Sequence, residues 1–363
     1  MPAMHEVQRE SPAPEEDVSE TPMPAGGSGI ACSVCIANYN GMGLIDACIE
    51  SVRKQDYGFP VEIIVHDDAS TDGSSGHITA SHPDVRLIES AENVGFCVAN
   101  NRMAAAARGE YLLLLNNDAT LMPGALAALM NEARRLQQPA ILGLPQYDAE
   151  TGELLDIGSL LDPFFNAVPN RSWHRRDVGM VAGACLWIPK GLWEELGGFP
   201  EWFGSIGEDL YLCCRARLSG HPVRVIVTSG YRHRVGTSFG GGKARAGRLD
   251  TTFRRRALSE RNKTFVMAMI CPSLALHILL PIHLALLLVE GLLLTALKMR
   301  LAYFSGIYLP VFSALFRRRN QLLTGRRAAQ SGREISATVF FAPFDPVPYK
   351  LRMLLKHGLP EVK

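Results

Sequence analysis

Three short acidic or amide-rich clusters stand out along the chain: Asp67-Asp68, Asn116-Asn117-Asp118 and Glu208-Asp209, with His233 further on. Each offers a definite chemistry. A carboxylate at Asp67 or Asp68 can accept the N3–H of a pyrimidine base. A carboxylate at Asp118 can hold Mg²⁺ or Mn²⁺ and leave the ion free to bind phosphate oxygens. An ionised carboxylate at Glu208-Asp209, steadied by a helix start, can accept a hydroxyl proton. His233 can give a neutral imidazole to the same ion. A base grip, neutralisation of a leaving diphosphate and a general base are what transfer of a sugar from a nucleoside diphosphate needs. Each cluster also has a plainer reading: residues 68–73 as a helix cap, Asn117-Asp118 as an Asx turn, Glu208-Asp209 as an N-terminal cap, His233 as a structural histidine.

The elements around the clusters favour the chemical readings. The apolar run at residues 30–37 reads as a strand covered on both faces and ends at Ala37-Asn38-Tyr39-Asn40-Gly41, which is turn chemistry. Ile45, Cys48, Ile49 and Val52 then recur at helical spacing. Residues 61–65 form a second strand ending at His66-Asp67-Asp68, residues 85–88 a third, and residues 110–115 a fourth ending at Asn116-Asn117-Asp118. A helix is expected over residues 94–107, and Pro123 is expected just inside another. Residues 180–188 read as a buried strand broken by small residues, and residues 223–227 as one more. Alternating strands and helices predict a mostly parallel, Rossmann-like α/β sheet, whose ligands bind beyond the carboxyl ends of the strands. The polar clusters all fall there.

Composition narrows the rest. The 363 residues carry a formal net charge of +1, which argues against nucleic acid as a partner. The eight cysteines have no metal-site or disulfide spacing and read as buried thiols in a reducing compartment. Residues 1–29 are rich in Pro, Glu and Ser with no apolar run, and are expected to be a disordered tail that is no signal peptide. Residues 264–297 are nearly all apolar apart from His277, His283 and Glu290, long enough to cross a bilayer. A shorter apolar stretch at 301–316 ends in Arg317-Arg318-Arg319. The expected organisation is a tail over 1–29, an α/β domain over 30–262, membrane-spanning or interfacial helices over 263–320 and a basic tail over 321–363. A basic cluster at Arg171, His174, Arg175 and Arg176 suits a phosphate-bearing acceptor or a solvated loop. Gly240-Gly241-Gly242, with Lys243, Arg245 and Arg248, reads equally as a closing lid or a linker.

In order and spacing these motifs resemble the family 2 glycosyltransferases, especially their rhamnosyltransferase-like branch. The residues that carry the resemblance are Ala37-Asn38-Tyr39-Asn40-Gly41, residues 68–74, Asn93-Val94-Gly95-Phe96, Arg108-Gly109-Glu110-Tyr111, Asn116-Asn117-Asp118, Gly197-Gly198-Phe199, Glu208-Asp209-Leu210 and Glu260-Arg261-Asn262-Lys263. The resemblance implies a GT-A fold, an inverting single displacement, a nucleoside diphosphate sugar donor, a Mg²⁺ or Mn²⁺ ion and a membrane-associating C-terminal segment. It assigns Asp68 to the nucleobase and Asn117-Asp118 to the diphosphate and metal. Asp209 would be the general base with Glu208 in support, His233 a metal ligand, and Asn93 and Gly95 part of the nucleotide pocket. Ala37, Asn38, Tyr39, Asn40 and Asp67 complete the expected donor site. The acceptor would be a lipid-linked or cell-surface glycan precursor at the cytoplasmic face of the inner membrane, and the donor dTDP-L-rhamnose. The chain departs from the family pattern in having one aspartate, Asp118, where two or three are common, and Tyr211 where a further Asp usually follows the Glu-Asp pair. An inactive membrane scaffold of the same fold is one alternative. A sugar-phosphate nucleotidyltransferase is another, but that would place a Gly-rich basic loop where Asn38-Tyr39-Asn40-Gly41 stands.

Overall fold

The computed structural model describes residues 29–236, 241–245, 248–358 and 361–362; residues 1–28 of the expected tail and Gly240 of the glycine-rich segment lie outside them. The first half alternates strictly: β1 (Cys32–Asn38), α1 (Ile45–Arg53), β2 (Val61–Asp67), α2 (Ser74–Ser81), β3 (Arg86–Glu89), α3 (Phe96–Ala106) and β4 (Tyr111–Asn116). Short elements follow: β5 (Ala119–Leu121), α4 (Ala125–Leu136), β6 (Ile141–Gly143), β7 (Gln146–Asp148), β8 (Leu154–Asp156), β9 (Ser159–Leu161) and β10 (Ala167–Pro169). Next come β11 (Cys185–Pro189), α5 (Lys190–Leu196), α6 (Glu208–Leu218), β12 (Val223–Val225) and β13 (Tyr231–His233).

The main sheet has the order β12-β6-β11-β4-β1-β2-β3. β1 is parallel to both its neighbours, and β11 alone runs antiparallel to the strands beside it. Register brings the polar strand ends level, with Asn38 opposite Asp67 and Ala37 opposite Asn116. Both faces are buried: Leu112 and Leu114 enter one apolar cluster, Leu113 and Leu115 the other. This is why β4 reads as an unbroken leucine run. A second sheet, β5-β13-β7-β8, sets β13 antiparallel to β5 and lays His233 opposite Ala119, the residue after Asp118. The expected helix start at Pro123 falls two residues early. Gly124 holds a left-handed φ of 76°, and α4 begins after it.

The Arg108-Gly109 motif proves to be scaffold. Glu62 Oε1 accepts from Ser33 Oγ (2.6 Å) and from the Arg108 backbone N–H (2.7 Å), while Arg108 Nε donates to its other oxygen at 2.9 Å. The Gly109 N–H in turn donates to Ser33 Oγ. These bonds hold the Glu62 carboxyl below its usual range against the effect of burial.

Beyond β13 the chain forms β14 (Gly241–Arg245), β15 (Arg248–Thr251), α7 (Phe253–Ile270), α8 (Ser273–Lys298), a π turn at Phe304–Tyr308, α9 (Leu309–Arg317), α10 (Arg319–Ser331), α11 (Ala337–Phe341) and α12 (Tyr349–His357). The apolar stretch expected to be uniform divides at Pro272. Phe265, Val266, Met267, Met269, Ile270 and Cys271 belong to the main core, whereas α8 leaves most of its surface open. Residues 321–357 are likewise more than a basic tail. Leu322, Ala329 and Phe340 are buried in the main core, and Arg215 Nη1 donates to the Ala329 carbonyl at 2.8 Å. All eight cysteines are buried and free.

A Cβ on residue 109 would lie 2.5 Å from Ser33 N and 2.7 Å from Cys32 C, both backbone atoms that cannot yield. Gly109→Ala is therefore expected to cost about 1–3 kcal/mol of stability, read as a lower denaturation midpoint, although the position touches no site residue.

Candidate functional site

The carboxyl ends of β1, β2 and β4 meet through one buried side chain. Asn38 Nδ2 donates to Asp67 Oδ1 (2.9 Å) and Ser74 Oγ (3.0 Å), and its Oδ1 accepts from Asn117 Nδ2 at 2.9 Å. Asp67 also takes the Ser70 N–H and hydroxyl, which turns the loop after β2. Asn40, at a left-handed φ of 50°, ties into the same loop: its N–H donates to Ser70 Oγ, and its Oδ1 accepts from Thr71 N. Tyr39 projects into solvent beside it and Asn93 is exposed.

Asp68 does not cap α2. The residue preceding that helix is Gly73, and it is Asp72 that accepts from the Ser74 N–H. The two oxygens of Asp68 instead take the N–H groups of Val94 (2.7 Å) and Gly95 (2.9 Å). Gly95 there has φ 88°, a backbone form that favours glycine. Each carboxylate oxygen keeps a lone pair for a further donor such as a base N–H. Asp68 thus joins the two segments that the sequence reading gave separately to the nucleotide.

Past β4, Asp118 is buried and its Oδ1 lies 3.0 Å from His233 Nε2. The far side of the ring is also held, with Gln146 Nε2 3.0 Å from His233 Nδ1 and Tyr231 Oη donating to Gln146 Oε1 at 3.0 Å. Among the described residues Asn116 Oδ1 is buried with no hydrogen-bond partner, and its Nδ2 is 3.5 Å from His233 Nε2. A carboxylate oxygen and an imidazole nitrogen 3.0 Å apart, with the Asn116 amide beside the imidazole, suit a hard divalent cation. Asp118, His233 and Asn116 would hold it. Were an ion held at Nε2, Gln146 at the far side of the ring would fix the orientation of the imidazole. A second group, Asp46, His77 and His82, also brings ligand atoms together, but at the outer edge of α1 and α2, where Arg53 already occupies His82 Nδ1.

Glu208 and Asp209 open α6. Asp209 Oδ2 accepts from the Gly183 N–H at 3.1 Å. Ala184, the next residue, accepts from the Asn116 N–H, so the pair stands beside the Asp118 cluster. Glu208 Oε2 is buried and has no hydrogen-bond partner among the described residues. Burial raises both carboxyls above their usual range; the charge of Asp209 pushes Glu208 further, while backbone N–H groups of Gly183 and Leu210, and after them Arg255 at the start of α7, pull Asp209 back down. Between the two clusters lies a small cavity of about 10 Å³ lined by Gln146, Asp156, Val181, Ala182, Cys185 and Tyr231. Burial lifts the Asp156 carboxyl to about 6, against hydrogen bonds from Ser159 Oγ and the Asn170 N–H.

Gln146, Asp156, Gly183 and Arg255 were not predicted as site residues. Only Gly183 carried a signal, the small-residue break in residues 180–188. The others matter through contacts that sequence spacing does not reveal.

Comparison with known proteins agrees with this arrangement. The sequence model described as glycosyl transferase family 2 matches residues 33–187, from β1 into β11. The chain is 27% identical over 191 residues to the N-acetylglucosaminyl-diphospho-decaprenol L-rhamnosyltransferase of Mycobacterium tuberculosis, a match covering 44% of this chain and 62% of that protein. It is 36% identical over 99 residues to the succinoglycan biosynthesis protein ExoO of Rhizobium meliloti, 27% of this chain and 28% of that one. The chain therefore spans about three fifths of the first relative's length and less of the second's. Among solved structures, GalNAc-T7 with UDP, GalNAc and Mn²⁺ superposes with a TM-score of 0.54 at 16% identity, over 68% of this chain and 49% of that one. S. aureus TarS gives 0.50 at 15% identity, over 83% and 55%. Such identities speak to the fold alone. Family match, curated relatives and fold point one way: residues 33–187 match the glycosyl transferase family 2 model, and the sheet has the GT-A architecture of these solved glycosyltransferases.

Proposed function

We propose that the chain transfers a sugar, with inversion, from a nucleoside diphosphate donor to a hydroxyl of a lipid-linked or cell-surface glycan precursor. The observation that carries this reading is the convergence of Asp68, the Asp118–His233 pair and Asp209 at one end of the sheet. Asp68 and the loop at Asn38, Tyr39 and Asn40 receive the nucleoside, with Ala37, Asp67, Asn93 and Gly95 around it. Asp118 and His233, with Asn116 beside them, would hold Mg²⁺ or Mn²⁺, which when bound would supply neutralisation of charge on the departing diphosphate. Asp209 takes the acceptor hydroxyl proton as the new C–O bond forms on the face opposite the leaving group. The bond from the sugar's anomeric carbon to the diphosphate breaks with its electron pair on the diphosphate. Glu208 stands beside Asp209 in support, the later of the two to ionise.

The donor we favour is dTDP-L-rhamnose, because the mycobacterial relative is named a rhamnosyltransferase. That relative's name also contains a diphospho-decaprenol acceptor, which supports a lipid-linked acceptor at the cytoplasmic face of the inner membrane. The apolar helix α8 is the feature of this chain that fits such a place.

Binding of dTDP- and UDP-sugars with and without Mn²⁺ tests the division of labour. Asp118→Ala is expected to weaken metal-dependent donor binding at least about tenfold, the loss of one charged ligand. Asp209→Asn is expected to bind donor like the parent and to lose transfer by about a hundredfold or more. Equal binding by both variants without metal would remove the assignment. The pH dependence carries a sign as well. Since both carboxyls are raised and the base works only when ionised, kcat/KM should climb with pH along its acidic limb. The Asp209 charge raises Glu208, so Glu208 is still protonated while Asp209 ionises, and Glu208→Gln should leave this limb in place; a limb that moves to lower pH would mean that Glu208 ionises first.

A further inference from the structure

We infer that α8 lies in the plane of the membrane, seated on an anionic lipid surface, and does not cross the bilayer. The inference rests on the membrane association proposed above and adds its geometry. By length and composition α8 qualifies for either arrangement: its 26 residues have a mean hydropathy of 2.2 over the most apolar window, only 22% of which is buried. At 1.5 Å per residue the helix is about 39 Å long, more than the thickness of a bilayer's hydrocarbon core.

What decides is the helix beside it. Thr264 Oγ1 of α7 is 2.9 Å from His283 Nε2 of α8, and Arg256 Nη2 donates to Glu290 Oε1 at 2.6 Å. Going from the first contact to the second, α7 steps back eight residues (264 − 256) while α8 advances seven (290 − 283). The two helices therefore run antiparallel and side by side through the middle of α8. The contacting face of α8 is also its buried one, His283, Leu287, Gly291 and Leu294. At Gly291 an added Cβ would lie 2.8 Å from Tyr308 Cδ2, so the π turn packs hard against the same side.

If α8 crossed the bilayer, the middle of α7 would be carried into hydrocarbon with it. That segment holds Arg256, Glu260 and Lys263. Glu260 bonds to Lys263 at 2.8 Å and to Lys350 of α12 at 2.5 Å, and Lys350 reaches Glu290 at 2.7 Å. The other face of α7 is part of the main core under the sheet. The sugar-transfer domain itself would have to enter the membrane, against the cost of burying its charged and polar groups in lipid. An in-plane helix avoids this: Glu290 and His283 face the protein, and the opposite face meets acyl chains.

The free face fits a lipid surface in both character and flanks. Leu274, Ile278, Ile282, Leu286, Leu293 and Leu297 are all exposed along it. Lys298 and Arg300 stand at one end of the helix, and Arg326 donates to Ser273 Oγ at the other. Arg317, Arg318 and Arg319 are exposed at the end of α9. Cationic side chains bracketing an apolar face are what an anionic bilayer attracts.

The test uses the full chain. Ser273→Cys and Met299→Cys place one exposed thiol at each end of α8, and the eight native cysteines are buried. In sealed inside-out membrane vesicles from expressing cells, a membrane-impermeant maleimide should label both positions without detergent. A membrane-bound protein in which one end reacts only after detergent would mean that α8 spans, overturning the in-plane geometry while leaving membrane association intact. Purified protein should sediment with phosphatidylcholine vesicles containing phosphatidylglycerol and much less with phosphatidylcholine alone. The double variant Leu286→Glu/Leu293→Glu should bind about a hundredfold more weakly or worse, with an unchanged melting curve because both side chains are exposed. Protein that binds neither vesicle defeats the membrane reading altogether. A dimer in light scattering that the double variant abolishes would show that a second copy covers this face, and would also overturn the inference.

Discussion

The amide of Asn38 is the joint on which the carboxyl end of the sheet depends. It closes β1, the strand with parallel neighbours on both sides, and bonds at once to the loop after β2 and the loop after β4. An amide suits the place because it donates and accepts together. A carboxylate there would face Asp67 with like charge, and an aliphatic side chain would leave Asp67 and Asn117 buried without partners, which is costly. With Asp67 and Asn117 held in this way, their neighbours are placed by default. Asp68 reaches Val94 and Gly95, and Asp118 reaches His233. Two adjacent pairs, Asp67-Asp68 and Asn117-Asp118, thus divide into one inward residue that builds the joint and one that lines the site.

Much of this was legible in the sequence, and the reasons are specific. β1, β2 and β4 are covered on both faces, so they appear as apolar runs ending abruptly in polar residues. The strand expected over residues 180–188 shrinks to β11, because Ala182-Gly183-Ala184 turns to point the Gly183 N–H at Asp209. The small-residue break read in that strand is what lets the Gly183 backbone meet Asp209. The three-residue strands of the second sheet were invisible, since so short a piece has no period to read. With them went Gln146, which matters only because β7 pairs with β13. The division of labour inside Asp67-Asp68 was equally out of reach: both residues are acidic and buried, and only the loops they meet tell them apart.

The C-terminal third shows a similar limit. Hydropathy alone treats residues 264–297 as one apolar segment, yet the first eight residues complete the core and the remainder faces outward. The information that separates them lies outside the segment, in Arg256 and Lys350, which meet Glu290 from α7 and α12. A glutamate in an apolar helix reads as a defect until its partners are known. With two cations on it, Glu290 becomes a fixed point that sets which side of α8 is turned to the protein.

Arg255 and Arg256 connect the apolar helix α8 to the candidate site. They are consecutive at the start of α7 and serve opposite neighbours. Arg255 acts on Asp209, steadying its ionised form against burial, while Arg256 pairs with Glu290 and takes a further bond to Tyr308 Oη at 3.0 Å. One turn of helix therefore ties the candidate general base to the element whose free face is apolar. The same helix is capped at Thr252, whose side chain accepts from the Arg255 N–H, so the position of Arg255 is set from both sides. Whatever surface receives α8 then fixes the orientation of the Asp209 end of the site towards that surface. An acceptor held in a membrane would meet a base whose position is already determined, without any motion of the domain. Rigid coupling of this sort asks α7 to be both core helix and connector, which accounts for its unusual make-up: arginines in its first turn, an ionic network in its middle and core apolar residues at its end.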